Sequence, residues 1–160
     1  MAKDIPLSEI TLRRYEKPYQ TDKRELIKKI CLSLGLLQPG DSRDVIVDVL
    51  LVLEQSSREK KELNSEEIKS GVEALRKKHN LEMKGIADSN IRRQLKRLRD
   101  IMLVEKKNNL YNITEFETLG RLFENKIEKF LIPQTIERIK EYLSQLETPE
   151  NIHPNKSISL

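Results

Sequence analysis

Tryptophan is absent from this 160-residue chain and aromatic residues make up only 4% of it. So few rings leave no basis for the stacking platforms that hold single-stranded nucleic acid. One cysteine excludes an internal disulfide, and one cysteine with two histidines cannot supply a usual structural zinc site. Five glycines and six prolines are too few for an all-β chain built on tight turns. No apolar run approaches the roughly 18 residues of a membrane span, and no basic segment leads into an apolar stretch of secretory type. Also missing are a glycine-rich phosphate loop, an H-E-x-x-H pair and a nucleophile elbow. The expectation is a soluble, cytoplasmic, mainly α protein with no catalytic activity, no cofactor and no metal.

What is abundant is charge, at 35% of residues, with a net of only +4. Its placement is uneven. Residues 76–107 carry eleven basic side chains (Arg76, Lys77, Lys78, Lys84, Arg92, Arg93, Lys96, Arg97, Arg99, Lys106, Lys107) against four acidic ones, a net of +7. The rest of the chain is left at −3. A positive segment on an acidic body is the footprint of a polyanion-binding face, although a solvated helix gives a similar count.

Hydrophobic periodicity places the elements. Residues 1–20, interrupted by Pro6 and Pro18, read as an arm that offers Leu7, Ile10, Leu12 and Tyr15 for packing. A first helix follows Asp22 as N-cap, with Leu26, Ile27, Ile30, Cys31 and Leu34 at helical spacing and Gly35 at its end. Asp41 or Ser42 then caps a second helix, Val45 to Leu53, which is apolar on more than one face and should be central. Cys31 lies in an apolar stripe and reads as a core thiol. Asn64 and Glu67 form a capping-box pattern ahead of a third helix with an Ile68, Val72, Leu75 stripe. Its last turn holds Arg76, Lys77 and Lys78, and His79-Asn80 ends it. Asp88-Ser89 caps a fourth helix whose stripe is Ile91, Leu95 and Leu98. Met102 to Lys107 and Leu110 to Ile113 read as two short strands around an Asn108-Asn109 turn, anchored by Leu103 and by Tyr111 or Ile113.

After Thr114 as cap, with Glu115 and Glu117 in the first turn, a further helix is expected to bury Phe116, Leu119, Phe123, Ile127 and Phe130. Pro133 suits the first turn of a separate last helix. There Ile132, Ile136, Ile139, Leu143 and Leu146 repeat at 4-3-4-3 spacing, a seam of coiled-coil type. The seam reads as a homodimer interface or as a face packed on its own domain. Residues 147–160, including His153, read as a flexible tail.

Helix, helix, connector, helix, hairpin is the order of a helix-turn-helix with a β-wing, in which the second helix of the pair enters the major groove. On the candidate recognition helix, Ser89 to Arg99, Arg93 lies opposite Ile91, with Lys96 and Arg97 beside it. Arg93 and Arg97 suit guanine O6/N7, and Asn90 suits adenine N6/N7; Ser89 and Asn90 sit at the end that meets base edges. Arg92, Lys96 and Arg99 point toward phosphates, and Lys106 and Lys107 extend the contact from the hairpin.

The run Ser89-Asn90-Ile91-Arg92-Arg93-Gln94-Leu95-Lys96-Arg97-Leu98, then Leu103-Val104-Glu105 and Tyr111-Asn112-Ile113, resembles the winged helix-turn-helix domain of archaeal and bacterial transcriptional regulators. The likeness covers Ser65 to Thr114, and Leu36 to Asp44 is similar to a group of predicted archaeal regulators. The resemblance implies a mainly α winged-helix fold with extra N- and C-terminal helices. The expected parts are an arm (1–20), a winged-helix domain (21–114), a C-terminal dimerisation element (115–146) and a tail. It implies double-stranded DNA as partner; a protein-interaction module in a replication, segregation or transcription assembly is the alternative. Two departures stand out. Met102 occupies the place of a glycine with positive φ, so a differently built turn is expected, and the connector from Asn80 to Asp88 is long.

Overall fold

The computed structural model describes residues 4–149. The chain is mainly helical with one small antiparallel hairpin: α1 (Lys23–Ser33), α2 (Val45–Ser57), α3 (Ser65–Lys78), α4 (Asp88–Asp100), β1 (Val104–Lys107), β2 (Leu110–Ile113), α5 (Leu119–Leu122) and α6 (Ile132–Glu147). No helix among the described residues is long and apolar enough to cross a membrane.

α2 is the centre. Every residue from Val45 to Leu53 is buried, and α1, α3 and α4 all pack against it. α3 comes close because it carries a glycine at the crossing. A Cβ on Gly71 would stand 2.9 Å from Val52 Cγ2, so this mid-helix glycine trades about 1 kcal/mol of helix propensity for close approach. α4 turns Ile91, Leu95 and Leu98 into the same core.

Helix starts follow the sequence at α1 and α3. The Asp22 carboxylate accepts from the Glu25 N–H at 2.8 Å, and Asn64 and Glu67 cap each other's backbone at 2.8 and 2.9 Å. At α2 the cap position is Asp44, not Asp41 or Ser42, and its side chain makes no capping bond because two arginines take it. At α4 the cap is Ala87, and Asp88 and Ser89 already lie inside the helix.

One buried charge cluster ties three helices together. Arg24 of α1 meets Asp48 at 2.8 Å and Asp44 at 3.1 Å. Arg76 of α3 meets the same two carboxylates at 2.6 and 3.0 Å. Desolvation raises the Asp44 carboxyl, but hydrogen bonds from Arg76 and Arg24 outweigh it and hold it below the usual value. Cys31, buried nearby, is pushed up to about 12 by desolvation, as befits a core thiol.

The arm runs over the outside of α1. Ile10 and Tyr15 pack against the core, whereas Leu7 and Leu12 are exposed. Arg13 fastens it, donating to the Leu32 and Leu37 carbonyls at 2.9 and 3.3 Å and to Gln38 Oε1 at 2.7 Å.

The hairpin turns at Asn108 and Asn109, with φ of +52° and +65°, the two positive values of a type I′ turn. Leu63 adds a one-residue third strand by exchanging backbone hydrogen bonds with Tyr111. Entry into the hairpin corrects an expectation. Met102 adopts φ +66°, so the glycine-type turn is built after all with a methionine in it. The carbonyl of Met102 accepts from Thr114 Oγ1 at 2.8 Å, and its N–H donates to the Arg99 carbonyl at 2.9 Å.

The C-terminal region departs most. Thr114 caps nothing; Glu115 and Phe116 take φ of +55° and +52° in a short turn, and Thr118 is the cap, accepting from the Arg121 N–H. α5, a π-helical stretch (Phe123–Leu131) and α6 then follow with helical backbone at both junctions, so residues 119–147 form one continuous helix. Pro133 stands in the first turn of α6, as expected, although α6 continues the π-helical stretch without a break. It removes one backbone donor, and the wider turns before it accommodate the lost bond. The buried side chains are Leu122, Ile127 and Leu131, not Phe130, because spacings of five and four fit a wider turn than 3.6 residues. No residue of α6 is buried, and of its seam only Ile132 packs against the core of the described residues. Residues 150–160, with the tail's His153, lie outside the described residues.

Candidate nucleic-acid interface

α4 has three sides. Its core side is apolar, as its period requires. Its outer side carries Ser89, Arg92, Arg93, Lys96 and Arg99, all exposed. The third side, made by Asn90, Gln94 and Arg97, is half-buried against the loop between α1 and α2 and against the connector before α4.

That third side is internally bonded. Asn90 Nδ2 donates to the Gly85 carbonyl at 2.7 Å, and its Oδ1 accepts from Arg93 Nη2 at 2.8 Å and Gln94 Nε2 at 2.9 Å. Gln94 Oε1 accepts from Arg97 Nη1 at 2.9 Å, and Arg97 Nη2 reaches the Gly35 carbonyl at 3.3 Å. In this state Asn90 and Arg97 brace the helix between the connector and α1 instead of pointing outward. Asn90 and Arg97 thus hold partners within the chain, whereas the other expected α4 contacts lie on its exposed side.

Comparison with family models, with characterised proteins and with solved structures gives no match. The residues alone carry the reading.

Among the described residues, Arg92, Arg93, Arg99, Lys106 and Lys107 pair with no carboxylate. Lys96 shares Asp100 at 3.1 Å one turn along the helix, an exposed pair that contributes about 0.3–0.5 kcal/mol and yields readily to a phosphate. The hairpin brings Lys106 to the α4 side, whereas Lys107, next to it in β1, is exposed on the other face of the ladder. Lys106 sits across from Tyr111 in the ladder, its ammonium 5.6 Å from the ring centre, and it shares a cleft with Arg92. Six of the nine candidate residues therefore form one exposed surface spanning α4 and β1: Ser89, Arg92, Arg93, Lys96, Arg99 and Lys106.

Arg76 leaves the basic segment. It is 3% exposed, neutralised by Asp44 and Asp48, and its Nε donates to the Glu82 carbonyl at 2.6 Å. It positions the connector ahead of α4 and contacts no partner itself. Arg43, outside the basic segment, and Lys84, counted in it but not among the candidate contacts, flank the Asn90 side of α4. Arg43 lies in the loop marked by Pro39-Gly40, and nothing local connects that loop to α4.

The seam residues Ile136, Ile139, Leu143 and Leu146 are 48–76% exposed along one side of α6 and Ile132 is half-buried. Phe130 and Tyr142 add further exposed apolar surface.

Proposed function

We propose that the protein binds double-stranded DNA in a sequence-dependent way and acts as a transcriptional regulator of the winged helix-turn-helix kind. α2, α3 and α4 take the places of the three helices, α4 enters the major groove, and the β1–β2 hairpin is the wing. The observation that carries this reading is the patch of cations without carboxylate partners running from α4 onto the hairpin. An α-helix fits the major groove, and Arg93 on its outer side is placed to donate two bonds to a guanine edge. Arg92, Arg99, Lys106 and Lys107 then contact the flanking phosphates, which orient the helix without reading sequence.

The same proposal includes a homodimer through α6. An exposed stripe of aliphatic side chains at heptad spacing is what a second identical helix covers, and a two-fold pair presents two α4 helices to half-sites in successive major grooves.

Selection of bound duplexes from a random pool, followed by a salt titration of the winner, tests both parts. The expected result is a two-fold related site whose log affinity falls linearly with log salt, at about 0.9 per phosphate contacted. No duplex retained even at low salt would overturn the reading.

A further inference from the structure

On the side of α4 away from the hairpin lies an open cleft of about 610 Å³. Its apolar floor is Leu36, Leu37 and Val45, all buried, and its walls are the α1–α2 loop, the connector at Gly85 and the inner edge of α4. Four cations border it, Arg43, Lys84, Arg93 and Arg97, against a single lining carboxylate, Asp41; exposed Lys84 also meets exposed Glu82 at 3.5 Å, a pair that yields readily to a phosphate. Asp41 is turned to its own loop, accepting from the Arg43 backbone N–H at 2.9 Å.

Arg97 is the informative member. It is half-buried, yet its only partners are neutral, an amide oxygen and a backbone carbonyl. Taking a guanidinium partly out of water without an anion is unfavourable, and elsewhere in this chain the buried arginines Arg24 and Arg76 each have two carboxylates. The bonding of Asn90 to Arg93 and Gln94, and of Gln94 to Arg97, holds the row of donors in fixed order along the rim. Arginine forks suit tetrahedral oxyanions, and several converging cations suit more than one negative charge.

We infer that this cleft is a phosphate-binding site, with Arg43, Lys84 and Arg97 as donors and Arg93 at its outer edge. The backbone of a duplex seated on α4 and a free phosphorylated molecule present the same group. The duplex source rests on the function proposed above; the cleft itself does not.

The test uses the full chain, an Arg43→Gln/Lys84→Gln double variant and an Arg97→Gln variant, with circular dichroism as a check on folding. Both double-variant positions are exposed, so the fold should be unaffected. One arm measures the salt dependence of duplex binding; a slope shallower by about 1 to 2 in the double variant assigns the cleft to the DNA backbone. The other arm titrates inorganic pyrophosphate calorimetrically without DNA; saturable uptake weakened about tenfold in both variants assigns it to a free phosphorylated molecule. An unchanged slope together with absent or unaltered pyrophosphate uptake overturns the inference. If the wild-type chain retains no duplex yet takes up pyrophosphate through these side chains, the DNA-binding reading fails and the cleft stands.

Discussion

Arg76 Nη1 lies 2.6 Å from Asp48 Oδ2 in the core, and the same guanidinium holds the Glu82 carbonyl through Nε, also at 2.6 Å. One side chain thereby links the central helix to the connector that leads into α4. Asp48→Asn would leave Arg24 and Arg76 sharing only Asp44. Destabilisation of about 3 kcal/mol or more is expected in urea unfolding. A loss below about 1 kcal/mol would mean that water screens the cluster.

Asp44 gives that cluster a pH dependence of known sign. Its folded pKa lies below the unfolded value of about 3.9, so its stabilising contribution is complete above that pH. It is lost as pH falls through the folded value. Unfolding midpoints measured from pH 6 downward should drop more steeply below about pH 4 in the wild-type chain than in Asp44→Asn. Parallel curves would refute this.

Substitutions on α4 should separate by the side they occupy. Arg93→Ala is expected to cost about 1–3 kcal/mol of specific binding and to relax preference at one base pair, whereas Lys107→Ala should weaken all sequences alike. Asn90→Ala should change stability and the setting of Arg93 without abolishing preference for a single adenine. Competition binding against a panel of single-base variants reads all three, and an unaltered panel for Arg93→Ala would remove it from the reading surface.

Ile139→Glu places a charge in the middle of the exposed α6 stripe. Sedimentation equilibrium should show the mass halved relative to wild type, with helix content falling modestly as α6 loses its cover. An unchanged mass would exclude α6 as the interface.

The hairpin turn requires two left-handed residues. Asn109→Val puts a β-branched side chain at φ +65° and should cost about 1–2 kcal/mol in chemical denaturation. No loss would mean that the turn has rearranged, which a changed cross-strand pattern in amide exchange would reveal.

The legible parts of the fold were those set locally. The Asn64–Glu67 box, the Ile91, Leu95, Leu98 stripe and the Asn108-Asn109 turn depend on neighbours within four residues, and each lies where the pattern puts it. Arg76 was misread because charge counting ignores burial, and its partners sit 28 and 32 residues earlier in the chain. The bracing of Asn90 and Arg97 was not legible because helical position fixes direction, while the Gly85 and Gly35 carbonyls they hold lie outside α4. Leu122 and Leu131 escaped notice because a 3.6-residue period cannot describe π-helical turns.

The π-helical stretch has a consequence for phase. Along a regular helix each residue advances the side-chain direction by about 100°, and nine residues of wider turn accumulate a different total. Those residues fix the azimuth at which the Ile136–Ile139–Leu143 stripe leaves the globular body, though none of them belongs to that stripe or to α4. Inserting or deleting one residue between Phe123 and Leu131 would swing the stripe around the axis without touching either surface. The angle between the α6 stripe and the outer side of α4 is thus encoded in a segment that belongs to neither.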